Sequence, residues 1–215
     1  MRKLGIISFG LFFFLGLWQL LVSIFSLPRF ILPGPWDVAL AFVDHAEFIM
    51  GHAAITAMEV VVGFALGCLF GMANALMIIN SPFARRYVFP VLVASQAVPV
   101  FAIAPILTLW FGFGVASKII MTMLVIYFPV TSNFLDGLSR TPRPMLDMAS
   151  VMGGTPRNML LHVRIPMALP SLVSGIRLAA IFAPIGAVVG EWVGASGGLG
   201  YLMLYANGRV KTDLM

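Results

Sequence analysis

The sequence predicts an all-α protein, a polytopic bundle of transmembrane helices, on three observations. Its 215 residues are 60% hydrophobic and only 10% charged, whereas soluble domains have nearly half apolar and about a quarter charged residues. The mean hydropathy is +1.02. The few charges also leave uncharged gaps long enough for helices to cross a bilayer, which takes about 20 residues. This composition excludes a soluble enzyme and a nucleic-acid-binding domain.

Five long, predominantly apolar stretches predict five spans. The first is too long for the apolar region of a signal peptide and lacks a cleavage pattern, so we expect it to be retained. The third contains Pro99, Pro105 and Gly112, which predict a helix with an irregular exit. The fifth contains Arg177, which must snorkel to a headgroup or face the protein interior. The predicted spans are residues 4–27, 52–79, 88–109, 119–135 and 171–190.

The basic residues predict the orientation, since lysine and arginine near span ends accumulate in the cytoplasm. With the N-terminus inside, nine of the 13 basic residues are cytoplasmic and four are external. The cytoplasmic nine are Arg2, Lys3, Arg85, Arg86, Arg140, Arg143, Arg157, Arg164 and Arg177, and the external four are Arg29, Lys118, Arg209 and Lys211. Five crossings then leave residues 191–215 outside.

Residues 26–51 combine prolines with an amphipathic stretch and predict an external helix along the membrane interface. Asp44, His45, Glu47 and His52 could converge on a metal, but polar residues at a span entrance explain them better, and we predict no metal site. Cys68 is the single cysteine, so it can form no intramolecular disulfide and is expected to be a packing residue.

Residues 138–170 predict two short cytoplasmic helices joined by a glycine corner. The first covers residues 145–152 and ends at Gly153 in the manner of a C-terminal glycine cap. The second begins with Thr155 as N-cap and Pro156 in the first turn, and is expected to end at Pro166. The resulting partly apolar knob indicates a docking surface for a soluble partner.

This loop carries a resemblance to a known family. Asp147-Met148-Ala149, Gly153 and the ending Val163, Ile165 and Pro166 resemble the signature loop of binding-protein-dependent ABC importer permeases. In that family the loop forms a coupling helix that sits in a cleft of the cytoplasmic ATPase. The resemblance therefore assigns ATPase coupling to Asp147, Ala149, Gly153 and Pro166. The chain departs from the pattern by an aspartate in place of glutamate, by Met148 in place of alanine, and by conservative aliphatic changes.

Further stretches extend the resemblance over almost the whole chain. Residues 99–105, 110–114 and 184–202 are similar to the branch that handles nitrate, sulfonates, taurine and thiamine precursors. Residues 95–99, 134–138 and 207–215 look most like permeases for hydroxymethylpyrimidine-type thiamine precursors. The resemblance implies a type I importer permease fold in a bacterial inner membrane, in which one further span follows the position of Leu214. We therefore expect that a sixth span is missing here, through truncation or a shortened protein.

The resemblance also implies the partners. These are ATP-binding cassette subunits, a periplasmic or extracellular solute-binding protein, a second copy of the permease, and membrane lipid. Residues of the pattern Gly-x-x-x-x-Gly-Lys-Ser/Thr, which cradle phosphates, do not occur in this sequence. If transport uses ATP, a partner subunit must bind it, and this chain is a transport subunit without its own cofactor.

Polar residues in spans are costly and are functional candidates. We select Gln96, Asn133 and Glu191 as candidate pathway residues, although Gln96 could equally make an interhelical hydrogen bond. Asn74 and Glu59 also merit attention. Four aromatic residues could stack on a flat heteroaromatic solute or could simply pack, namely Phe101, Trp110, Tyr127 and Phe128. Gly63, Gly67 and Gly71 share one helix face, which serves either internal packing or a subunit contact.

Two rival functions follow from other features. Residues 194–198, Gly-Ala-Ser-Gly-Gly, match the Gly-x-Ser-x-Gly pattern of serine hydrolases, but that nucleophile needs a preceding strand and a histidine base. The other rival is an ATP-independent channel or carrier built from the same spans, against which the glycine-cornered loop argues.

Overall fold

The protein is described by a computed structural model, which gives the backbone of residues 2–215 and the side chains of residues 9, 10 and 12–215. All regular elements in this part of the chain are helical, which confirms the all-α prediction. In chain order they are α1 Arg2–Ile24, α2 Pro35–Asp44, α3 Ala46–Asn80, a π-helical turn Ala84–Val88, α4 Phe89–Ser95, α5 Val100–Phe111, α6 Val115–Ser139, α7 Arg143–Val151, α8 Pro156–Met159, a second π-helical turn Leu160–Arg164, α9 Ile165–Trp192 and α10 Leu199–Gly208.

The chain divides into two compact units. One consists of residues 1–55 and 197–215, and the other of residues 56–196. In the first unit, the Gly34 N–H donates to Asp37 Oδ2 (3.2 Å) at the start of α2, and Asp37 also pairs with Arg29 (3.3 Å). The Thr212 hydroxyl donates to the Arg29 carbonyl (2.7 Å), which ties the C-terminal residues to the turn between α1 and α2.

The second unit is built around α3, α6 and α9, which pack closely because glycines face their neighbours. A Cβ at Gly63 or Gly67 would meet Thr122 or Ile126 of α6 at 2.6 and 2.5 Å. A Cβ at Gly71 would lie 2.7 Å from the Tyr127 carbonyl oxygen. The three glycines therefore serve packing within one subunit, the first of the two roles that the sequence left open.

Helix α9 also packs closely on α6 through glycines. A Cβ at Gly175 would lie 2.9 Å from the Pro129 carbonyl oxygen, and one at Gly186 would lie 2.9 Å from the Thr122 Cα. Buried apolar residues fill the space between the three helices, among them Ile78, Ile126, Val130 and Leu138. The small residues set the helix spacing, and the branched residues then fill the core at close packing.

Three helices are long and apolar enough to cross a membrane, namely Ala46–Asn80, Val115–Ser139 and the continuous run Pro156–Trp192. They correspond to the predicted spans 52–79, 119–135 and 171–190, but each is longer than predicted because charged or polar residues at the ends stay helical. In α1 the described apolar segment is Phe12–Ile24. Arg2 and Lys3, which contributed to the predicted orientation, lie outside the described side chains.

The predicted span 88–109 is corrected. The segments Ala84–Ser95 and Val100–Phe111 make a bend of 99°, so they form a broken span or a re-entrant loop. The 99° bend at residues 96–99 is a second irregularity, in addition to the helix end at Gly112, which has φ +80°. Pro99 has no N–H to donate and disfavours a helical conformation in the residue before it, so the helix ends there and a new one begins with Val100.

Pro166 is also corrected, because it does not end the helix that begins at Pro156. It lies in the first turn of α9. The preceding turn Leu160–Arg164 is π-helical, and such wider turns re-route the backbone hydrogen bonds that a proline interrupts. The sequence predicts that Arg177 in this helix faces either a headgroup or the protein interior. Its side chain is exposed, so it does not lie in the interior of the unit.

Candidate translocation site and coupling loop

The loop that contains Asp147 has the predicted glycine corner. The Gly154 N–H donates to the Ala149 carbonyl and the Gly153 N–H to the Ser150 carbonyl, both at 2.9 Å. These are the two hydrogen bonds of a Schellman motif, which satisfies carbonyls at a helix C-terminus. Gly153 has φ +80°, which L side chains rarely adopt. The corner therefore requires glycine at position 153.

The helix after the corner starts as predicted. The Thr155 Oγ1 accepts a hydrogen bond from the Asn158 N–H (3.2 Å), and Pro156 occupies the first turn. Thr155 is thus the N-cap, and the proline needs no backbone partner at this position. Hydrogen bonds between residues close in sequence therefore define the end of the first helix and the start of the second.

Helix α7 presents an exposed surface. Val151 is 90% exposed and Met152 is 79% exposed, and Met148 is exposed as well. Asp147 lies among them and is exposed. A cavity of about 270 Å³ separates α7 from the helix after the corner, and Ala149, Gly154, Met159 and Val163 line it. Apolar, adaptable methionines around a concave surface are typical of a docking site for a protein partner.

The break between α4 and α5 contains a polar cluster. The Ser95 hydroxyl and the Tyr127 hydroxyl are 2.6 Å apart, and the Gln96 Nε2 donates to the Tyr127 oxygen (3.2 Å). Ser95 also donates to the Leu92 carbonyl (2.7 Å). Gln96 therefore does make an interhelical hydrogen bond, one of the two roles considered for it, and the bond lies at an interruption of the helix.

A cavity of about 130 Å³ opens on this cluster. Its walls are Ser95, Gln96 and Tyr127 on the polar side and Val100, Ile103 and Leu124 on the apolar side. None of its lining residues carries a formal charge. Interrupted helices with polar groups at their ends are the usual sites of solute binding in transporters. Sequence reasoning did not identify Ser95, whose role depends on a partner 32 residues away.

The other two candidate pathway residues lie elsewhere. The Asn133 Nδ2 donates to the Pro129 carbonyl in its own helix (2.8 Å), and the residue lines a cavity of about 340 Å³ together with Arg85, Phe89 and Asp136. Glu191 is buried and accepts a hydrogen bond from the Thr56 hydroxyl (2.6 Å). The structure thus places Gln96, Asn133 and Glu191 at three separate positions.

Lys118, which the charge count assigned to the external side, is only 1% exposed. Its ammonium donates to the carbonyl oxygens of Phe113 (2.8 Å) and Gly194 (3.1 Å). It therefore fastens the turn before α6 to the turn after α9. The sequence shows the charge but not its burial, since both acceptors are backbone atoms.

The four aromatic candidates also lie in different environments. Phe101 stacks on Trp192, with ring centroids 6.2 Å apart, and Tyr127 contacts Phe128 edge to face at 6.4 Å. Trp110 is 72% exposed on α5. Of the four, Tyr127 alone lines the cavity at the helix break.

Ser196 does not have the surroundings of a hydrolase nucleophile. It follows helix α9 in an exposed turn rather than a strand, whereas the nucleophile elbow is a strand-to-helix turn. Among the described residues no group of three or more His, Cys, Asp or Glu side chains could hold a metal ion. Asp44, His45 and Glu47 lie beside one another at the junction of α2 and α3 and line a shared cavity, and His52 follows within α3.

Comparisons with known proteins match most of the chain. Residues 63–215 match the family described as binding-protein-dependent transport system inner membrane component. The chain is 50% identical over 201 residues to a Haemophilus influenzae protein named "Probable ABC transporter permease protein", covering 94% of this chain and 82% of that one.

Two further relatives have more specific names. The formylaminopyrimidine transport permease protein ThiX of Halalkalibacterium halodurans is 38% identical, over 86% of this chain and 74% of the relative. The riboflavin transport system permease protein RibX of Chloroflexus aurantiacus is 34% identical, over 92% of this chain and 75% of the relative.

Proposed function

We propose that this chain, which belongs to the inner-membrane components of binding-protein-dependent ABC transport systems, carries a hydroxymethylpyrimidine-type thiamine precursor. As a family member it is a permease subunit of an ABC importer, a transport component rather than an enzyme. The assignment of this solute depends on a single observation, which is the uncharged polar cavity at the break between α4 and α5.

The cavity favours a neutral solute over an anion. Nitrate, taurine and alkanesulfonates all carry an anionic group, and a buried anion needs a cation or several donors to replace its water. The cavity instead offers two hydroxyls, one carboxamide and aliphatic walls. An aminopyrimidine has ring nitrogens, an amino group and a flat apolar face, which these groups can satisfy without a charge.

Two of the relatives support the same chemistry. Formylaminopyrimidine and riboflavin, in the printed names of these relatives, are both neutral nitrogen heteroaromatics. A site that accepts such rings needs apolar walls and a few placed hydrogen-bonding groups. Tyr127, which lines the cavity and whose hydroxyl oxygen accepts a hydrogen bond from Gln96, suits this role.

Coupling is assigned to the loop. We infer that Asp147, Ala149 and Gly153 dock the knob formed by α7 and α8 in an ATP-binding cassette subunit, and that Pro166 belongs to the helix that carries the movement into α9. Closure of two ATPases on ATP would then bring two such knobs together and shift a permease homodimer between inward-open and outward-open packings. The N-terminus and this loop are cytoplasmic in the proposed topology, lipid surrounds the bundle, and a solute-binding protein delivers the solute on the outer side.

Uptake by reconstituted vesicles tests the solute. The chain is combined with its ATPase and solute-binding protein, and labelled hydroxymethylpyrimidine is the probe. Competition by unlabelled aminopyrimidines, with none by nitrate, taurine or alkanesulfonates, is the expected result. Competition by an anion instead assigns the chain to the nitrate, taurine or sulfonate group.

The Gln96→Leu variant tests whether the solute binds in this cavity. It removes the carboxamide while keeping the volume, so we expect weaker uptake, with the change in KM rather than in the amount of inserted protein. Gln19→Leu is the matched control, because Gln19 is exposed on α1 and bonds only locally to Ser23.

Omitting the ATPase from the vesicles tests the coupling. Uptake that persists without ATPase would support an ATP-independent carrier and contradict the coupling.

A further inference from the structure

Three charged side chains lie buried together in the second unit. Glu59 of α3, Glu191 of α9 and Lys118 of α6 are 2%, 1% and 1% exposed. The chain has only 21 charged side chains of Asp, Glu, Lys and Arg, 8 acidic and 13 basic. Three of them at one buried position therefore need a physical explanation, since buried charges are costly unless paired.

The two carboxyl groups lie at the same level of the second unit. The Thr56 hydroxyl, one helical turn before Glu59 on α3, donates to Glu191 Oε1 (2.6 Å). The Glu59 Oε2 is buried and has no hydrogen-bond partner among the described atoms. One carboxyl oxygen at this position thus lacks a donor that the described side chains could supply.

The formal charges of the three side chains do not sum to zero. Two carboxylates and one ammonium leave a net charge of −1. The Lys118 ammonium donates to the carbonyls of Phe113 and Gly194. The nearest other titratable residue along α3 is His52, one turn before Thr56. One further positive charge would make the group neutral.

We propose that the Glu59–Glu191 pair is a proton-binding site of the permease. A proton placed between the two carboxyls supplies the donor that the buried oxygen lacks and makes the group of three charges neutral. A metal ion would need more oxygen ligands, and no group of three or more suitable side chains is present in the described residues. The ammonium of Lys118 also opposes a second fixed cation nearby.

Proton binding here acts on helix packing. Glu59 and Glu191 join α3 to α9, and Gly190 rests on Lys118 of α6, where a Cβ would lie 3.3 Å from the lysine Cα. With the proton bound, the neutral group lets the three helices close. Without it, a buried net charge draws in water and favours an arrangement in which the helices separate at this end.

Infrared spectroscopy of the purified chain in lipid tests the site without any transport partner. We expect a C=O stretching band of a protonated carboxylic acid at neutral pH, lost when the pH is raised. Glu59→Gln and Glu191→Gln should each abolish that band. Glu47→Gln should leave it unchanged, because Glu47 lies on the same helix but is exposed.

The experiment tests the site even if one variant fails to fold. The pH titration of the wild-type band and the spectrum of the other glutamine variant are two independent measurements. Absence of an acid band in the wild-type chain at neutral pH would overturn the proposal, and so would a band that survives in both glutamine variants. A band that disappears on adding sodium ions at constant pH would replace the proton by a metal cation as the ligand. None of these results depends on which solute is transported.

Discussion

At the scale of single residues, two hydroxyls and one carboxamide define the candidate solute site. Tyr127 is buried, and its oxygen contacts both Ser95 and Gln96 across the helix break. Removing this hydroxyl would delete one hydrogen bond from each of two partners, although Ser95 keeps its bond to the Leu92 carbonyl. The residue therefore both orients the polar cluster and forms part of the cavity wall.

Tyr127→Phe should raise the KM for solute uptake about fivefold, which corresponds to about 1 kcal/mol for one lost hydrogen bond. The ring is retained, so we expect unchanged insertion and unchanged thermal stability to within ~1 kcal/mol. Tyr205→Phe is the control, since Tyr205 stacks under Arg209 in the other unit. An unchanged KM would mean that the hydroxyl does not contact solute or position Gln96.

Lys118→Met should destabilise the chain by about 3–5 kcal/mol, the usual cost of removing one partner from a buried charged group. The methionine fills much of the space but leaves the Phe113 and Gly194 carbonyls without their donor and the carboxyls without the ammonium. Thermal unfolding in detergent measures the effect, and Lys211→Met, at an exposed position, should have almost none. Equal stability of the two variants would contradict the structural role.

At the scale of elements, glycines decide how closely the helices approach. Gly71 faces the backbone of α6, and the carbonyl oxygen of Tyr127 cannot move aside as a side chain could. The close contact also brings the Thr131 hydroxyl to the Gly71 carbonyl (3.1 Å), a second link between α3 and α6. The position therefore needs a residue without a side chain.

Gly71→Ala should cost about 1–3 kcal/mol of stability, because overpacking forces two helices apart. Gly51→Ala, in the same helix, should be neutral or slightly stabilising, since a Cβ there meets nothing within 4 Å and alanine favours helix. Paired thermal melts in detergent give both values. A neutral Gly71→Ala would show that α3 and α6 can separate without loss.

At the scale of the whole molecule, we propose that the loop between α6 and α9 and the orientation of the chain determine whether ATP hydrolysis drives transport. The loop corner is built from local hydrogen bonds, whereas its use requires a second protein. Its surface includes exposed apolar side chains, with Val151 at 90% and Met152 at 79% exposure. This combination predicts that variants in the loop affect transport more than folding.

Gly153→Asp should abolish solute-stimulated ATPase activity and uptake while the protein still inserts. A Cβ at Gly153 would meet nothing within 4 Å, so the cost to folding is the strain of a positive φ, about 1–2 kcal/mol. Gly208→Asp also introduces an acid into open space but away from the loop, and it should leave both activities intact. Coupled transport in the Gly153 variant would refute the docking assignment.

The topology can be tested with single cysteines. Cys68 is buried, so Ser150→Cys and Ser196→Cys each add one exposed thiol. A membrane-impermeant maleimide applied to intact cells should label position 196 and spare position 150, which it should reach only in inverted vesicles. The reverse pattern would invert the proposed orientation.

The sequence by itself determined what depends on neighbours along the chain. Hydrophobic runs specify helices, the Gly153 corner and the Thr155 cap follow from backbone chemistry, and Asp147 to Pro166 carry the family resemblance. The tertiary structure decided what depends on distant atoms. Pro99 marks an interruption in the sequence, but the 99° bend and the bond between Gln96 and Tyr127 arise only when α6 packs beside it. Likewise the charge of Lys118 is visible in the sequence, and its burial is not, because its acceptors are backbone carbonyls that folding brings to it from positions 113 and 194.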